Sequence, residues 1–229
     1  MVYGQTTNRP MKMPAICSSP LPTVFVVDDD ASFRTAASRL LRATGHPVRA
    51  FSSASEFLES LPTAGPGCVL TDLQMPGLSG LDLQKALAKA GHRMPVVFLS
   101  GHGDVPTTVQ AMRGGAEDFL MKRAPKEELL EAVKRALARD ARQRAEQARR
   151  EALRAQFAAL SPRELEVLQH VVHGRMNKEI AADLGINIRT VKLHRTAITT
   201  KLGVHSSAEL TQLWIESGEG VGESASGKK

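Results

Sequence analysis

The sequence predicts an α/β domain with a doubly wound, five-stranded parallel sheet, joined by a long helix to an all-α helix-turn-helix domain. Three observations support this fold class. Short apolar runs alternate with helical segments through the first half of the chain. A stretch without Gly or Pro, rich in good helix formers, runs from Lys126 to Ser161. After it, short segments with helical apolar spacing are separated by Gly174 and Gly185.

Five apolar runs are predicted as the strands of the first domain. They are too short for helices, and their continuous apolar character is typical of strands buried on both faces of a parallel sheet. In chain order they are 23–27, 48–51, 68–72, 95–99 and 118–121. Helical segments separate them, with predicted N-caps at Asp30, at Ser53 or Ser55, and at Ser79. The second of these helices is predicted to end at Leu61.

The second domain begins at a strong helix-start signal, Ser161-Pro162-Arg163-Glu164. This combines an N-cap, a Pro at the first helical position and a capping-box Glu. Asn177 is predicted to cap the next helix, and Gly185 makes a tight turn. Asn187 is predicted to cap a third helix over 188–202. Two short helices joined by a tight turn predict a helix-turn-helix, whose second helix is the candidate for the major groove.

The predicted organisation has five segments. They are a flexible extension over 1–20, the α/β domain over 21–138, a helical linker over 139–158 continuous with the last helix of that domain, the helix-turn-helix domain over 159–216 and a flexible tail over 217–229. Along the linker the apolar positions are alanines, at 141, 145, 148 and 152. This spacing fits a thin coiled-coil seam and a solvated spacer helix equally well.

Composition and charge limit the classes of protein to which this chain can belong. No apolar run approaches the roughly 20 residues that span a bilayer, and the first residues lack the apolar core of a secretory signal. We therefore expect a cytoplasmic protein that does not associate with membranes. Cys17 and Cys68 have no spacing for a disulfide framework or a metal site. The formal charge is +6, and 186–203 carries four basic residues and no acid, which indicates a polyanionic partner.

Reactive side chains follow several of the predicted strands. Asp28 and Asp29 follow the first strand, Asp72 ends the third, and Ser100 and Lys122 follow the fourth and fifth. The carboxyl ends of parallel strands face one ligand crevice, so these groups are expected to lie close together. Clustered carboxylates repel one another unless a cation neutralises them, and hard oxygen ligands suit Mg²⁺.

The stretch from about 23 to 138 resembles a two-component receiver domain, which has a flavodoxin-like fold. The motifs that carry the resemblance are VVDD, TDLQMPGLSGLDL, VVFLSGHGDVP and GGAEDFLMK. The resemblance implies that Asp72 is the phosphoacceptor and that Asp29, with Asp28 through water, helps hold Mg²⁺ together with Asp72 and the Gln74 carbonyl. It further implies that Ser100 and Lys122 bind the new phosphoryl group and that Phe119 is an aromatic switch.

The third helix of the second domain has two distinct faces. Val191, Ile198 and Leu202 follow the apolar stripe, while Lys192, Leu193 and Thr196 point away from it. An exposed Leu among cations suits contact with a thymine methyl group, and Lys192 can reach guanine acceptors. The residues predicted to contact DNA are Arg189, Thr190, Lys192, Leu193, Arg195, Thr196 and Lys201. The alternative is a solvated basic helix without a DNA partner.

The region from 160 to about 213 resembles the LuxR-type DNA-binding domain, on the motifs LSPRELEVL, NKEIAADLGI, TVKLH and KLGV. Both domains together resemble a FixJ/NarL-type response regulator. The resemblance implies a transcription factor rather than an enzyme, phosphorylated by a sensor histidine kinase and binding double-stranded DNA as a homodimer when phosphorylated. It also allows contact with RNA polymerase.

Two alternative functions share part of this pattern. An aspartate-nucleophile phosphatase of haloacid-dehalogenase type also places an Asp at a strand end beside Mg²⁺, but it needs a second Asp where this chain has Gln74. Arg123 and Ala124 stand where the receiver family usually has Pro and an aromatic residue. They motivate a second alternative, a DNA-binding regulator whose receiver serves as a dimerisation module independent of phosphorylation.

Overall fold

A computed structural model of the protein describes residues 21–61, 65–101 and 105–218. The chain divides into two compact units, one ending at Asp140 and the other beginning at Ala141. The predicted N-terminal extension over 1–20, and 219–229 of the predicted tail, lie outside the described residues. Among the helices described, none combines the length and the apolar character needed to cross a membrane.

The first unit contains a parallel sheet of five strands. The strands are β1 Thr23–Val27, β2 Val48–Phe51, β3 Gly67–Asp72, β4 Val96–Ser100 and β5 Asp118–Met121, in the spatial order β2-β1-β3-β4-β5. The helices between them are α1 Ala31–Ala43, α2 Ala54–Glu59, α3 Gly80–Lys89 and α4 Val105–Arg113. Apolar clusters cover both faces of the sheet, which explains why the central strands β3 and β4 are apolar almost throughout. The predicted doubly wound sheet is confirmed.

A single helix, α5 Lys126–Ala158, follows the sheet. Its first turns pack on the sheet through Leu129, Ala132, Val133 and Ala136. Asp140, which is buried, accepts a hydrogen bond from the Gly67 backbone N–H at 2.9 Å. Arg139 pairs with Glu117 at 3.0 Å. These polar contacts fix the position of α5 at the N-terminal ends of the strands. Apolar packing alone would leave the helix free to slide along the sheet.

The second unit is all-α. Its helices are α6 Pro162–Val172, α7 Asn177–Asp183, α8 Ile188–Leu202 and α9 Ser207–Ser217. They enclose one apolar core, to which the end of α5 contributes Leu153 and Phe157. The segment predicted as a linker therefore supplies part of this core in its last turns. Trp214 packs edge-on against Phe157, with ring centroids 5.5 Å apart.

Several details of the helix boundaries differ from the sequence-based predictions. The helix predicted to reach Leu61 ends at Glu59. Asn177 was predicted as an N-cap, but it is the first helical residue, and Met176 occupies the cap. The Glu179 carboxylate accepts the Met176 N–H at 2.8 Å, so a side chain three residues into the helix replaces the expected cap. Helix α9 was not predicted as a separate element.

Glu164 is a buried carboxylate that connects the start of α6 with the end of α8. It accepts the backbone N–H of Ser161 at 2.7 Å and an ion-paired hydrogen bond from Lys201 Nζ at 2.7 Å. Ser161 is the N-cap of α6, and Lys201 lies in the last turn of α8. The contact with Lys201 and the Ser161 N–H lower the pKa of Glu164 to about 2. A capping residue of α6 is thus also an anchor for α8.

Glu164→Gln is expected to lower the urea midpoint of the second unit at neutral pH, because glutamine keeps an acceptor for the cap but loses the charge that Lys201 binds. Because the pKa of Glu164 is lower in the folded than in the unfolded state, its charge stabilises the fold fully above the unfolded-state pKa of about 4.3. This stabilisation disappears as pH falls toward 2. The difference between wild type and variant should therefore be constant from about pH 7 to 5 and shrink below this range. Fluorescence of Trp214, the single tryptophan, reports the transition.

The matched control for this experiment is Glu166→Gln, which removes an exposed carboxylate of the same helix. Its exposed pair with Arg163 is of the kind that contributes little to stability. A difference for Glu164→Gln that is as large at pH 3 as at pH 7 would contradict the assignment of the effect to this charge.

Candidate functional site

Three carboxylates meet at the carboxyl ends of β1 and β3. Asp28, Asp29 and Asp72 each present an oxygen within 4.8 Å of the others. Asp28 and Asp72 are buried, whereas Asp29 is exposed. The pairing of β1 with β3, which sets Val27 beside Thr71, brings the two strand ends together. The sequence-based prediction of proximity therefore corresponds to a real cluster in the structure.

Lys122 lies between the two buried carboxylates. Its Nζ is 2.8 Å from Asp72 Oδ2 and 2.8 Å from Asp28 Oδ2. The contact with Asp72 is a directed hydrogen bond, whereas Asp28 Oδ2 has no directed hydrogen-bond partner among the described residues. The contact with Asp28 is therefore ionic. One ammonium faces three carboxylates, so the cluster retains an excess of negative charge.

Burial has opposite effects on the two kinds of group in this cluster. Burial raises the pKa of Asp28 above its ordinary value and repulsion from Asp72 adds to this, although Lys122 and the Asp30 N–H act in the other direction. Burial also disfavours the charged form of Lys122. Its contacts with Asp28 and Asp72 outweigh that effect, so the pKa of Lys122 is raised. Lys122 therefore stays charged, whereas burial and repulsion from Asp72 make the ionised form of Asp28 unfavourable.

The backbone around Asp72 is fixed by close contacts. The Gln74 N–H donates to Asp72 Oδ1 at 3.2 Å, and the Gln74 side chain is exposed. A Cβ atom on Gly80 would lie 2.3 Å from the Asp72 carbonyl oxygen and 3.0 Å from the Phe98 ring. Only glycine at the start of α3 allows this approach, which holds the loop over the end of β3.

The predicted partners on β4 and β5 also lie near the cluster. Ser100, which is buried, pairs in register with Met121, and its carbonyl accepts the Lys122 N–H at 2.8 Å. Phe119 is half-buried, with its ring centroid 6.5 Å from that of Phe98. The ammonium of Lys122 also lies 4.9 Å from the centroid of Phe33 on α1. That cation–π contact was not predicted, because no local pattern links α1 with the end of β5.

Arg34 is a second residue that sequence reasoning missed. Its guanidinium donates to the Asp28 carbonyl, and to the Asp29 carbonyl at 3.3 Å. It therefore supports the backbone of the acidic loop from the first turn of α1. Its place four residues after the N-cap Asp30 is the only signal in the sequence, and that signal is weak, because many helices carry a cation there.

Helix α8 forms the exposed second helix of the helix-turn-helix. Gly185, with φ of 63°, makes the left-handed turn that ends α7. Val191, Ile198 and Leu202 are buried, as predicted from their spacing. Leu193 is 65% exposed, and Arg189, Lys192 and Thr196 are also exposed. An apolar side chain thus stands in solvent among cations, as the sequence suggested.

Three of the residues predicted to contact DNA are half-buried or hydrogen-bonded within their own domain. Thr190 is half-buried. Arg195 donates to Asn177 Oδ1 at 2.9 Å and to Ser207 Oγ at 2.7 Å, and Lys201 binds Glu164. These contacts give Arg195 and Lys201 a role in holding α8 against α6, α7 and α9. In the part of the chain that is described, Arg189 and Lys192 have no side-chain ion pair.

Comparisons with known proteins identify both domains. Residues 24–134 match the response regulator receiver domain family, and residues 158–214 match bacterial regulatory proteins of the luxR family. Nodulation protein W of Bradyrhizobium diazoefficiens is 44% identical over 190 residues, which are 83% of this chain and 84% of the relative. The transcriptional regulatory protein FixJ of Azorhizobium caulinodans is 40% identical over 195 residues, which are 85% and 92% of the two chains.

The chain is a two-component response regulator of the LuxR/FixJ type. A low-resolution structure of the response regulator StyR agrees, with 43% identity and a TM-score of 0.75 over 86% of this chain and 99% of that one. Members of this family are DNA-binding transcription regulators rather than typical enzymes. A receiver domain implies a histidine kinase as a partner, and a LuxR-type domain implies that DNA is a second partner. The predicted family is confirmed.

In this response regulator, Asp28→Asn is expected to raise the thermal midpoint of the receiver at pH 7 in EDTA. Burial makes ionised Asp28 less favourable in the folded than in the unfolded state, so the wild type carries a penalty above its folded-state pKa. This penalty disappears as pH falls below the unfolded value of about 3.9. Scanning calorimetry between pH 7 and 4 should show the advantage of the variant shrinking with falling pH.

The control for this measurement is Asp29→Asn, which removes the exposed member of the cluster and should change the midpoint less. An Asp28→Asn receiver that melts below wild type at every pH would show that the Lys122 pair stabilises more than burial costs.

Proposed function

We propose that phosphorylation of Asp72 by a sensor histidine kinase controls the dimerisation and promoter binding of this response regulator. The observation that carries the proposal is the position of Asp72 Oδ2 at 2.8 Å from Lys122 Nζ, inside a cluster with Asp28 and Asp29. A strand-end carboxylate with a neighbouring ammonium is placed to accept a phosphoryl group and to retain it.

Asp72 acts as the nucleophile in the proposed transfer. A carboxylate oxygen attacks the phosphorus of a phosphohistidine, forming an acyl phosphate, while the P–N bond breaks and its electron pair returns to the imidazole ring, which takes up a proton from solvent. Little covalent chemistry is required of the protein, so positioning and charge neutralisation carry the catalysis. The Gln74 N–H holds the reacting carboxylate, and the close approach of Gly80 to the Asp72 carbonyl fixes the backbone beneath it.

The carboxylate cluster fits a divalent cation of the Mg²⁺ type. Asp28, Asp29 and Asp72 offer the hard oxygen atoms that Mg²⁺ prefers. Asp28 Oδ2, which lies 2.8 Å from Lys122 Nζ, has no directed hydrogen bond among the described residues. The Gln74 carbonyl is the proposed fourth protein ligand. When bound, Mg²⁺ would offset the excess negative charge and the charge that develops on the phosphoryl oxygens.

Lys122 and Ser100 are the proposed partners of the new phosphoryl group. The aspartyl phosphate carries about two negative charges and attracts the ammonium that now bridges Asp28 and Asp72. Each charge-assisted hydrogen bond contributes about 1.5–3 kcal/mol. Two such contacts would shift a two-state receiver by about 10²-fold to 10⁴-fold, which suffices to change which state predominates. Phe119, half-buried beside β4, is the proposed side chain that responds.

A receiver that acts as a dimerisation module independent of phosphorylation is the second candidate. It rests on Arg123 and Ala124, which follow Lys122. The Ala124 N–H donates to the Met121 carbonyl at 2.8 Å, and Lys122 still pairs with both carboxylates. The unusual loop residues are therefore compatible with a lysine in the cluster, which supports phosphorylation control over this candidate.

Asp72→Asn is expected to abolish labelling by acetyl phosphate, which the wild type should acquire only when Mg²⁺ is present. The matched control is Asp30→Asn, because Asp30 adjoins the cluster in sequence but caps α1, and Asn caps equally well. The control should be labelled like wild type. Intact-mass spectrometry with hydroxylamine treatment measures the acyl phosphate.

The two candidate functions differ in their effect on DNA binding. Acetyl phosphate should increase dimerisation and operator affinity of the wild type and leave Asp72→Asn unchanged. Labelling that survives Asp72→Asn would refute the assignment of the acceptor. Labelling of the wild type without any change in operator affinity would favour the module independent of phosphorylation.

We propose that α8 lies in the major groove of double-stranded DNA, with Lys192 reading base edges and Leu193 contacting a thymine methyl group. The exposure of both side chains supports this. Arg189, at the start of the helix, is the proposed phosphate contact, and Thr190 and Thr196 lie on the flanks. Arg195 and Lys201, whose charges remain near the surface, would add phosphate attraction in addition to their internal contacts.

Lys192→Ala should relax discrimination at one base pair of an operator obtained by in vitro selection, at a cost of about 1–3 kcal/mol. Arg189→Ala should instead weaken binding to all sequences alike and reduce the salt slope by about one unit. Fluorescence anisotropy with matched and substituted duplexes at several salt concentrations separates the two effects. Lys85→Ala, an exposed lysine of the receiver, is the control and should leave both quantities unchanged. Uniform weakening by Lys192→Ala would place base recognition elsewhere.

A further inference from the structure

A basic cavity on the receiver lies outside the carboxylate cluster. It has a volume of about 330 Å³ and opens between helix α1 and the edge strand β2. Its lining residues are Arg34, Thr35, Ser38, Arg39, Arg42 and Ala50. We call it the arginine pocket. The proposed phosphoryl transfer does not use it, and neither does the DNA-binding surface of the second unit.

The arginine pocket carries a net positive charge, although the Glu56 carboxylate interacts electrostatically with Arg34. Its three arginines lie within nine residues of α1 and line the same cavity, and Arg39 and Arg42, three residues apart, are neighbours on the helix surface. Among the described residues, no carboxylate lies within ion-pair distance of them. Arg42 donates to the Val48 carbonyl at 3.2 Å, which fixes the side chain without neutralising it. Three mutually repelling cations in a concavity favour an anion as their counterion.

Ser38 distinguishes this pocket from an ordinary solvated basic face. Ser38 is only 3% exposed, and its Oγ has no hydrogen-bond partner among the described residues. A serine within a helix usually donates to the carbonyl four residues earlier, as Thr35 does to Ala31 at 2.7 Å. A buried hydroxyl without a partner is unfavourable, and native proteins seldom retain one. An acceptor atom within the pocket would satisfy it.

We propose that the arginine pocket binds the diphosphate group of a small molecule. Guanidinium groups bind phosphate oxygens through two parallel hydrogen bonds, which is the geometry that distinguishes Arg from Lys. One phosphate ester carries about −1.5 to −2 charges at pH 7, so three guanidinium ions exceed what a single phosphate neutralises. The volume lies at the lower end of the roughly 300–1,000 Å³ range of small-molecule sites.

Arg34 places the pocket next to the acidic loop, because its guanidinium donates to the carbonyls of Asp28 and Asp29. A substitution of Arg34 would therefore disturb two regions together. Arg39 is exposed and has no side-chain hydrogen bond among the described residues, so its replacement removes charge from the pocket alone. Arg49 on β2 stacks 5.3 Å from the Phe51 ring centroid, on the other face of the sheet. It provides a control with the same loss of charge.

Isothermal titration of the full-length protein with inorganic pyrophosphate in EDTA tests the proposal. Arg39→Gln should raise the Kd about tenfold or more, the change expected from losing one charge-assisted contact. Ser38→Ala should also weaken binding, yet should not lower the thermal midpoint of the free protein, because the hydroxyl it removes is unsatisfied. Arg49→Gln should bind like wild type. Sulfate should bind at least tenfold more weakly than pyrophosphate.

Three results of the anion titrations would overturn the proposal, and a fourth comes from DNA binding. These are no saturable binding of pyrophosphate to the wild type, equal Kd values for Arg39→Gln and Arg49→Gln, and equal affinity for sulfate. Adenosine diphosphate titrated beside pyrophosphate shows the source of the diphosphate, since tighter binding of the nucleotide means that the pocket also holds the body of the ligand. If Arg39→Gln instead weakens only the binding of a non-operator DNA duplex, the pocket is a DNA phosphate contact and the proposal is wrong.

Discussion

The ammonium of Lys122, held between two buried carboxylates, is the interaction on which the receiver site depends. Two carboxylates that lie close together in a low-dielectric site repel one another. Lys122 at 2.8 Å from each offsets that repulsion while leaving the cluster negative overall. The pKa of Asp28 is nevertheless raised, chiefly because burial disfavours its charged form, and repulsion from Asp72 adds to this. The residual negative charge fits the proposed divalent cation, and Lys122 is the proposed partner of the new phosphoryl group.

A buried ion pair has a different consequence in the DNA-binding domain. Glu164 starts α6 and binds Lys201 at the end of α8, and Arg195 connects α8 with Asn177 and Ser207. These polar contacts fix the rotation of α8, which its apolar stripe alone would leave loosely defined. They allow Leu193 and Lys192 to remain exposed. Charges that look like one basic surface in the sequence therefore divide into cations that hold the domain together and cations that face solvent.

The arginine pocket extends the same reasoning to a region that neither site uses. Lys122 and Lys201 bind carboxylates of their own chain, whereas no described carboxylate lies within ion-pair distance of the arginines of the pocket. The proposed diphosphate site rests on these arginines and on the buried Ser38 hydroxyl, which has no hydrogen-bond partner among the described residues. Arg34 belongs to both regions, because it lines the pocket and supports the acidic loop.

The sequence by itself determined the parallel sheet, the strand ends that carry Asp28, Asp29 and Asp72, and the exposed face of α8. These features depend on local periodicity, on caps and on the rule that parallel strands end at one edge. Only the tertiary structure decided that Lys122 bridges two carboxylates and that Arg195 and Lys201 bind inside their own domain. Such pairings join residues far apart in the chain, and a contact between distant residues leaves no periodic signal in either segment.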